Sequence, residues 1–558
     1  MRGKKLLACV LAFAMLASLG GCAGKNGNGE SQKEEKTSAV SEKSGSEKSG
    51  AEKGGLDEKT PDEVTLNIMF RGSRPEGFDD VYEEFLRRTK DDLNIKLNFT
   101  WVENADYKEK LNLEIISGAD YDLVYDALWL NLRVLAADDY YADLSEYFNN
   151  PEYPGLQKAF APEVMENNKY YGKMCYIPLI RGYGNGVQVV HYRQDWADQW
   201  GIGQIDSYEK LEQYWEKAKS ENILPVSVRS NRGFWQLFTS GAYYPGAAEA
   251  GIMQVASAGI DLFFYVKDGA VQAIAPSGAG DEAFKDFPEG WNYDFTVERY
   301  EKFADWAKEG YISPDSMTVS DEKMPYWAGE AASYIGTIDE AENNFTQMAK
   351  YSPEAVEGEF VWDDRIREME DHAIVTNYMS NNGLCVPESS TKKDDTMRFL
   401  NWLFLSKENH DLFEMGIEGK DYELTEDGTY RSLSAYPDSF PGYAFTWTPS
   451  YVTFSELTTG KNLEYRRYEL KEESYVSQPV CGFAFDVTDV DLASYVAQVT
   501  AVSEKVSKTK YHGILSDGTR NYDSMREMLK VNTEECYQAG LQNIIDALWK
   551  QLDEHLAS

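Results

Sequence analysis

The chain has 558 residues, 94 acidic against 55 basic, for a formal net charge of −39. That surplus repels nucleic acid and anionic lipid, which excludes nucleic-acid binding. Six cysteines with no CxxC pair and five dispersed histidines speak against a zinc or manganese site, and a length well beyond about 300 residues calls for two large lobes.

In chain order, Arg2, Lys4 and Lys5 precede the apolar run LLACVLAFAMLASLGG, which is shorter than the roughly 18 residues that span a bilayer. The run predicts a cleaved signal peptide over residues 1–21. It ends in Leu19-Gly20-Gly21-Cys22, which resembles the lipobox of bacterial lipoproteins. That resemblance implies lipidation of Cys22 and a chain anchored to the cell membrane, facing outside the cytoplasm. Residues 22–60 then carry almost no large apolar side chain and cannot offset the entropy of ordering, so they predict a disordered tether. Its reach is on the order of 35 Å.

Val64, Leu66, Ile68 and Phe70 alternate as on a strand. A helix follows, capped by Asp79 or Asp80, with Phe78, Val81, Phe85 and Leu86 on one face. Ile95, Leu97, Phe99 and Trp101 alternate again, and a second helix leads to a short strand over Tyr121–Tyr125. Strand, helix, strand, helix, strand predicts an open α/β sheet with mostly parallel strands. Further on, 186–192 reads as a strand, Ser207 caps a helix bearing Leu211, Trp215 and Ala218, and 300–308 is helical. A strand is expected over 331–337 and an apolar helix from Asp395. The chain closes on a long helix from about Thr533, its stripe from Tyr537 through Leu541, Ile544 and Leu548 to Leu556 being core packing. No internal repeat is present.

Catalytic signatures are missing: there is no HExxH, GxSxG, P-loop or dinucleotide fingerprint. Gly278-Ala-Gly-Asp reads as a loop with no strand before it, which rules out a phosphate cradle there. Paired carboxylates arise by chance among 94 acids, and solvated surface is their default role. Cys175, Cys385, Cys481 and Cys536 are compatible with disulfides or with buried free thiols.

Several segments carry one resemblance. GKMCYIPLIRGYGNGVQVVHYRQDWADQWGI (172–202) and YWAGEAASYIGT (326–337) resemble motifs of family 1 extracellular solute-binding proteins, although Glu330 and Ser333 stand where that family often has Lys and Met. The stretch 382–422 is similar to the LplA-like lipoprotein subgroup, and the region from Val480 onward to that subgroup's C-terminal DUF3502 domain. The resemblance implies a two-lobed periplasmic-binding-protein-like α/β fold with a discontinuous chain crossing a hinge. The first crossing is expected near Pro178 and the second near 376–386. Lobe 1 would comprise 61–180 and 378–435, and lobe 2 would comprise 181–377 and 436–558.

The same resemblance implies an ABC importer's substrate-binding lipoprotein, not an enzyme. It would close on an oligosaccharide and deliver it unchanged to membrane permease subunits, acting as a monomer without cofactor or metal. The alternatives are a peptide or other solute on the same fold, or a surface carbohydrate-active enzyme. With 13 Trp, 37 Tyr and 25 Phe, rings are available to stack on sugar faces while charged and amide groups meet the hydroxyl rim. Most of those rings are core, so position selects among them. Ligands in α/β sheets sit beyond the carboxyl ends of strands, which singles out Arg71, then Asp126 and Trp129 in the loop after Tyr125. Arg181 and Tyr183 follow the first crossing, Trp235 sits at an expected helix start, Asp339 follows the strand ending near Ile338, and Trp447 lies in the loop-like PGYAFTWTPSY. Trp306, Trp402 and Trp549 read as core.

Overall fold

The computed structural model describes residues 62–557 apart from 171, 185, 240–243, 434–441 and 484. The expected signal peptide, Cys22 and tether lie outside the described residues. In chain order the strands are β1 Val64–Arg71, β2 Ile95–Val102, β3 Leu123–Ala127, β4 Ile177–Leu179, β5 Gln188–Arg193, β6 Ile252–Ser257, β7 Ile260–Lys267, β8 Ala270–Pro276, β9 Ser333–Thr337, β10 Glu357–Phe360, β11 Ile374–Thr376, β12 Asn382–Cys385, β13 Tyr422–Leu424, β14 Tyr430–Ser432 and β15 Tyr475–Ser477. No helix among the described residues is long and apolar enough to cross a membrane.

The first sheet has the order β2-β1-β3-β12-β4. β1 runs parallel to β2 from Val64↔Ile95 to Arg71↔Val102, and parallel to β3 on its other side, as the alternating apolar residues require. β12 inserts antiparallel between β3 and β4. The Phe78–Thr89 helix buries Phe78, Val81 and Phe85 against this sheet. Asp79 and Asp80, expected at its cap, occupy its first turn instead; Gly77 is the cap and makes no side-chain bond. Their charge still favours the helix through its dipole. Phe70 is the centre of this core, edge-on to Phe99, Trp101, Tyr125 and Phe445. Burying one such ring contributes about 2–3 kcal/mol.

The second core forms around the antiparallel sheet β10-β5-β9. The Tyr208–Ser220 helix covers one face, with Ser207 Oγ accepting the Lys210 N–H and with Leu211, Trp215 and Ala218 buried, as expected. Ser333 has a specific reason to replace an apolar residue. Its hydroxyl accepts the Trp215 indole N–H at 2.8 Å and donates to the Pro225 carbonyl at 2.8 Å, so two buried polar groups are satisfied by one side chain.

The meander β6-β7-β8 packs on the C-terminal helices through Met253, Leu262, Phe264, Leu541, Ile544, Leu548 and Leu552. Two sequence expectations change here. The closing helix is broken into Met525–Gln538 and Leu541–Leu556 by Gly540, whose φ of 107° and close approach to the Tyr495 ring leave no room for a Cβ. Gly278 does follow a strand, β8, but its function is packing: a Cβ there would lie 2.4 Å from the Leu529 carbonyl oxygen. Only a four-residue 3-10 turn, Asp281–Phe284, comes after it, so no phosphate-binding helix forms.

Between the two cores the chain passes out after β4 and returns at β12. β11 and β15 pair in parallel beside these passages, over a small cluster that includes Val187, Val189, Ile374, Tyr465, Tyr468 and Tyr475. Phe445 is buried in the first core, and Trp447 and Tyr451 pack against it, so this stretch sits on the first core although it lies beyond residue 436. Cys175, Cys385, Cys481 and Cys536 are all free thiols.

Candidate functional site

A cavity of about 190 Å³ opens where the passages meet. Its wall comes from the 179–186 segment after β4, the end of β9, the 379–382 segment before β12, Trp447, the Gly460–Tyr468 helix with Glu469, and Tyr475 of β15. The approach is possible because the 182–186 segment carries glycines. A Cβ on Gly184 would lie 2.9 Å from the Tyr475 ring, and one on Gly182 3.1 Å from the Glu469 carbonyl oxygen. Gly186 adds a left-handed φ of +77°.

Three of the expected residues converge in this cavity. Arg181 donates through Nη1 to Asp339 Oδ2 at 3.3 Å and sets its guanidinium carbon 4.8 Å from the centre of the Trp447 ring. Burial raises the Asp339 carboxyl, but the Arg466 and Arg181 guanidiniums outweigh it and hold the acid at about 2. Arg466 in turn donates to Glu469 Oε2 at 2.6 Å, while Glu469 Oε1 accepts the Val187 N–H at 2.6 Å. Burial dominates at Glu469 and raises its carboxyl despite Arg466. Asp339 lies in the 3-10 turn Ile338–Glu340, two residues beyond the end of β9. The cavity thus offers an indole, two guanidiniums and a carboxylate ionised near neutral pH, with amides from Asn381 and Asn382. An acid held at about 2 is a poor proton donor near neutral pH, so Asp339 lacks the raised value of a general acid.

A second group adjoins the first through Asn382. Its Oδ1 accepts from Tyr125 OH at 2.7 Å and from the Trp129 indole N–H at 3.1 Å. Arg71 lies over both rings, 5.6 Å from Tyr125 and 5.1 Å from Trp129, and is steadied by Asn104 at 3.0 Å. All thirteen tryptophans fall among the described residues, and Trp129 alone is exposed, at 52%. An indole held open to solvent by a guanidinium and an amide is a stacking surface.

The remaining expectations are corrected. Asp126 is not in a loop: β3 extends to Ala127, two residues beyond the expected strand end, and leaves Asp126 fully buried. Its carboxylate accepts from Tyr141 OH (2.7 Å), Ala127 N–H (2.7 Å) and Asn131 N–H (3.1 Å), so it ties the loop together and offers no acceptor to a ligand. Burial outweighs these bonds and pushes it up to about 6. Tyr183 does not line the cavity, its ring being packed edge-on to Tyr475 and Tyr378. Trp235 starts no helix; it lies half-buried in a run of turns, closed by its own N–H to the Arg232 carbonyl, and does not line the cavity.

Arg466, Glu469, Tyr475 and Asn382 were missed. The signals available were the i, i+3 pairing of Arg466 with Glu469 and the GYGNG run, whose glycines require a close neighbour. One further cluster has metal-ligand chemistry: His191, Glu357 and Glu359 meet behind the cavity wall, so this histidine is not isolated as its sequence position suggested.

The model of bacterial extracellular solute-binding proteins matches residues 71–409. A carbohydrate ABC transporter substrate-binding protein of Streptococcus pneumoniae serotype 4 is 21% identical over 519 residues, covering 89% of this chain and 91% of its own. Among solved structures, the N-glycan transport solute binding protein of Streptococcus pneumoniae superimposes with a TM-score of 0.68 at 18% identity, over 89% of this chain and all of that one. The same protein in complex with Man1GlcNAc gives 0.60 at 18% identity, over 89% and 100%. The fold is therefore the two-lobed α/β fold of periplasmic-type binding proteins, and the chain belongs to the bacterial extracellular solute-binding protein family.

Proposed function

We propose that the chain is the substrate-binding lipoprotein of an ABC importer and captures an oligosaccharide in the cavity at the crossing segments. The observation that carries this reading is the meeting of Arg181, Asp339 and Trp447 at that cavity, next to the exposed Trp129. An aromatic face with charged and amide groups beside it matches a pyranose, which has an apolar C–H face and a rim of hydroxyls. The names of the similar proteins, which concern carbohydrate and N-glycan transport, support the same ligand class. Arg71, Trp129, Arg181, Asp339 and Trp447 are the contact residues in this reading, with Arg466 added. Ligand binding draws the two lobes together about the crossings, and the closed form is what the permease recognises.

Lobe 1 in this reading spans 61–180 and 378 to about 451, and lobe 2 holds the rest. Cys22 carries the lipid that fixes the protein, as a monomer, to the outer face of the cell membrane. Within the family the chain falls in the LplA-like subgroup, its C-terminal region corresponding to DUF3502. The guest leaves chemically intact, so no residue acts catalytically.

The test is a thermal-shift and calorimetry panel of N-glycan fragments, milk-type oligosaccharides and peptides, on protein beginning near residue 60. Binding of at least one glycan, its recovery uncleaved, and loss of roughly tenfold or more in affinity for Arg181→Ala are expected. Saturable binding of peptides alone, or cleavage of the glycan, would overturn the reading.

A further inference from the structure

Thr337 lines the cavity, and its carbonyl points backward to His191 Nε2 at 2.9 Å. His191 on β5 pairs with Glu359 of β10 on one side and Tyr334 of β9 on the other. Glu357, two residues from Glu359, shares its face of the sheet. The consequence is a compact group in which one ligand atom from each of His191, Glu357 and Glu359 lies within 4.8 Å of the others. His191 Nδ1 and Glu357 Oε1 are 3.0 Å apart, and both side chains are fully buried.

The hydrogen bonds fix which atoms remain available. A carbonyl only accepts, so the ring nitrogen facing Thr337 carries the proton, and in the neutral ring Nδ1 keeps its lone pair toward the carboxylates. Glu357 Oε1 accepts from Asn344 at 2.6 Å and from Tyr326 OH at 3.2 Å, and Glu359 Oε1 accepts from Asn462 at 2.9 Å. Glu357 Oε2 and His191 Nδ1 are buried and receive no hydrogen bond among the described residues. Each member is thus oriented by a neighbour on its outer side while unused lone pairs converge, which is how proteins hold metal ligands.

We propose that His191, Glu357 and Glu359 form a binding site for a divalent transition-metal ion, with zinc the best fit. One imidazole nitrogen and two carboxylates form a three-ligand set that leaves a coordination position for water. Calcium is disfavoured because it prefers oxygen alone. Glu359, the half-exposed member, provides the entry path. The ion ties β5 to β10 and, through His191 and the Thr337 carbonyl, braces the strand end that carries Asp339 into the cavity. The rival occupant of the same space is a proton shared between His191 and Glu357.

The test uses chelator-treated protein titrated with Zn²⁺, Co²⁺ and Ca²⁺ by calorimetry, with the metal content measured after gel filtration. One equivalent of zinc retained per chain is expected, with cobalt giving visible d–d bands and calcium giving no heat. His191→Gln and Glu359→Gln should each weaken zinc at least about tenfold, while His555→Gln leaves it unchanged. X-ray absorption of the zinc-loaded wild type, which needs no variant to fold, should show a single imidazole among oxygen ligands. No retained zinc, zinc binding indifferent to both substitutions, or a zinc shell without imidazole would overturn the proposal and leave the shared proton as the occupant. None of these outcomes depends on glycan binding.

Discussion

Two strand ends, β3 and β9, each bring an aspartate toward the region where the chain crosses, and they use it in opposite ways. Asp126 is spent on two backbone N–H groups and Tyr141 of the segment that follows it, while Asp339 faces two guanidiniums in an open cavity. Burial without a cation pushes the first up to about 6; two cations hold the second at about 2. Being a carboxylate at a strand end is therefore not enough to identify a ligand contact. What matters is whether the donors around it belong to the segment that follows it or leave an oxygen facing open space.

The comparison breaks most easily at Asp126. Asp126→Ala strands a buried hydroxyl and two N–H groups, and should cost about 4 kcal/mol in chemical denaturation. A cost below about 1 kcal/mol would mean that the carboxylate is not holding the loop. pH sharpens the contrast further. The folded value of Asp126 lies above its unfolded value, so its contribution is complete below about pH 4 and is lost as pH rises through 6. Relative to Asp126→Asn, the wild type should lose about 3 kcal/mol over that window. Asp339 has the reverse sign: its folded value is depressed, so its contribution is present above about pH 4 and fades as pH falls toward 2. The smallest effect is expected at the exposed ring. Trp129→Ala should leave the melting temperature unchanged and cost about 1–2 kcal/mol of glycan affinity, read by calorimetry. A drop in melting temperature instead would make the indole structural.

The sequence was most informative where a single period governed a whole element. Val64 to Phe70 and Ile95 to Trp101 alternate because one face of each strand meets the core, and the register of the parallel pair follows. It was least informative at boundaries. β3, Leu123–Ala127, is buried on both faces, so alternation could not mark its end, and a two-residue error moved Asp126 from core to loop. Gly540 interrupts an unbroken apolar stripe, and its left-handed φ and the neighbouring Tyr495 ring explain why a glycine is there. Arg181, Asp339 and Trp447 could each be selected by position, but their meeting depends on contacts across 158 and more residues, which no local pattern encodes. Arg466 and Glu469 read locally as an ordinary helix-surface pair, since their burial is supplied by segments far away in sequence.

Asn382 carries a constraint on whatever enters the cavity. An indole N–H can only donate, so the amide atom facing Trp129 has to be the oxygen, and that oxygen also takes the Tyr125 hydroxyl proton. Both of its lone pairs are then engaged. Asn382 can greet a guest only with its NH₂ protons, and a guest that puts an ether or carbonyl oxygen there is matched where one that puts a hydroxyl proton is not.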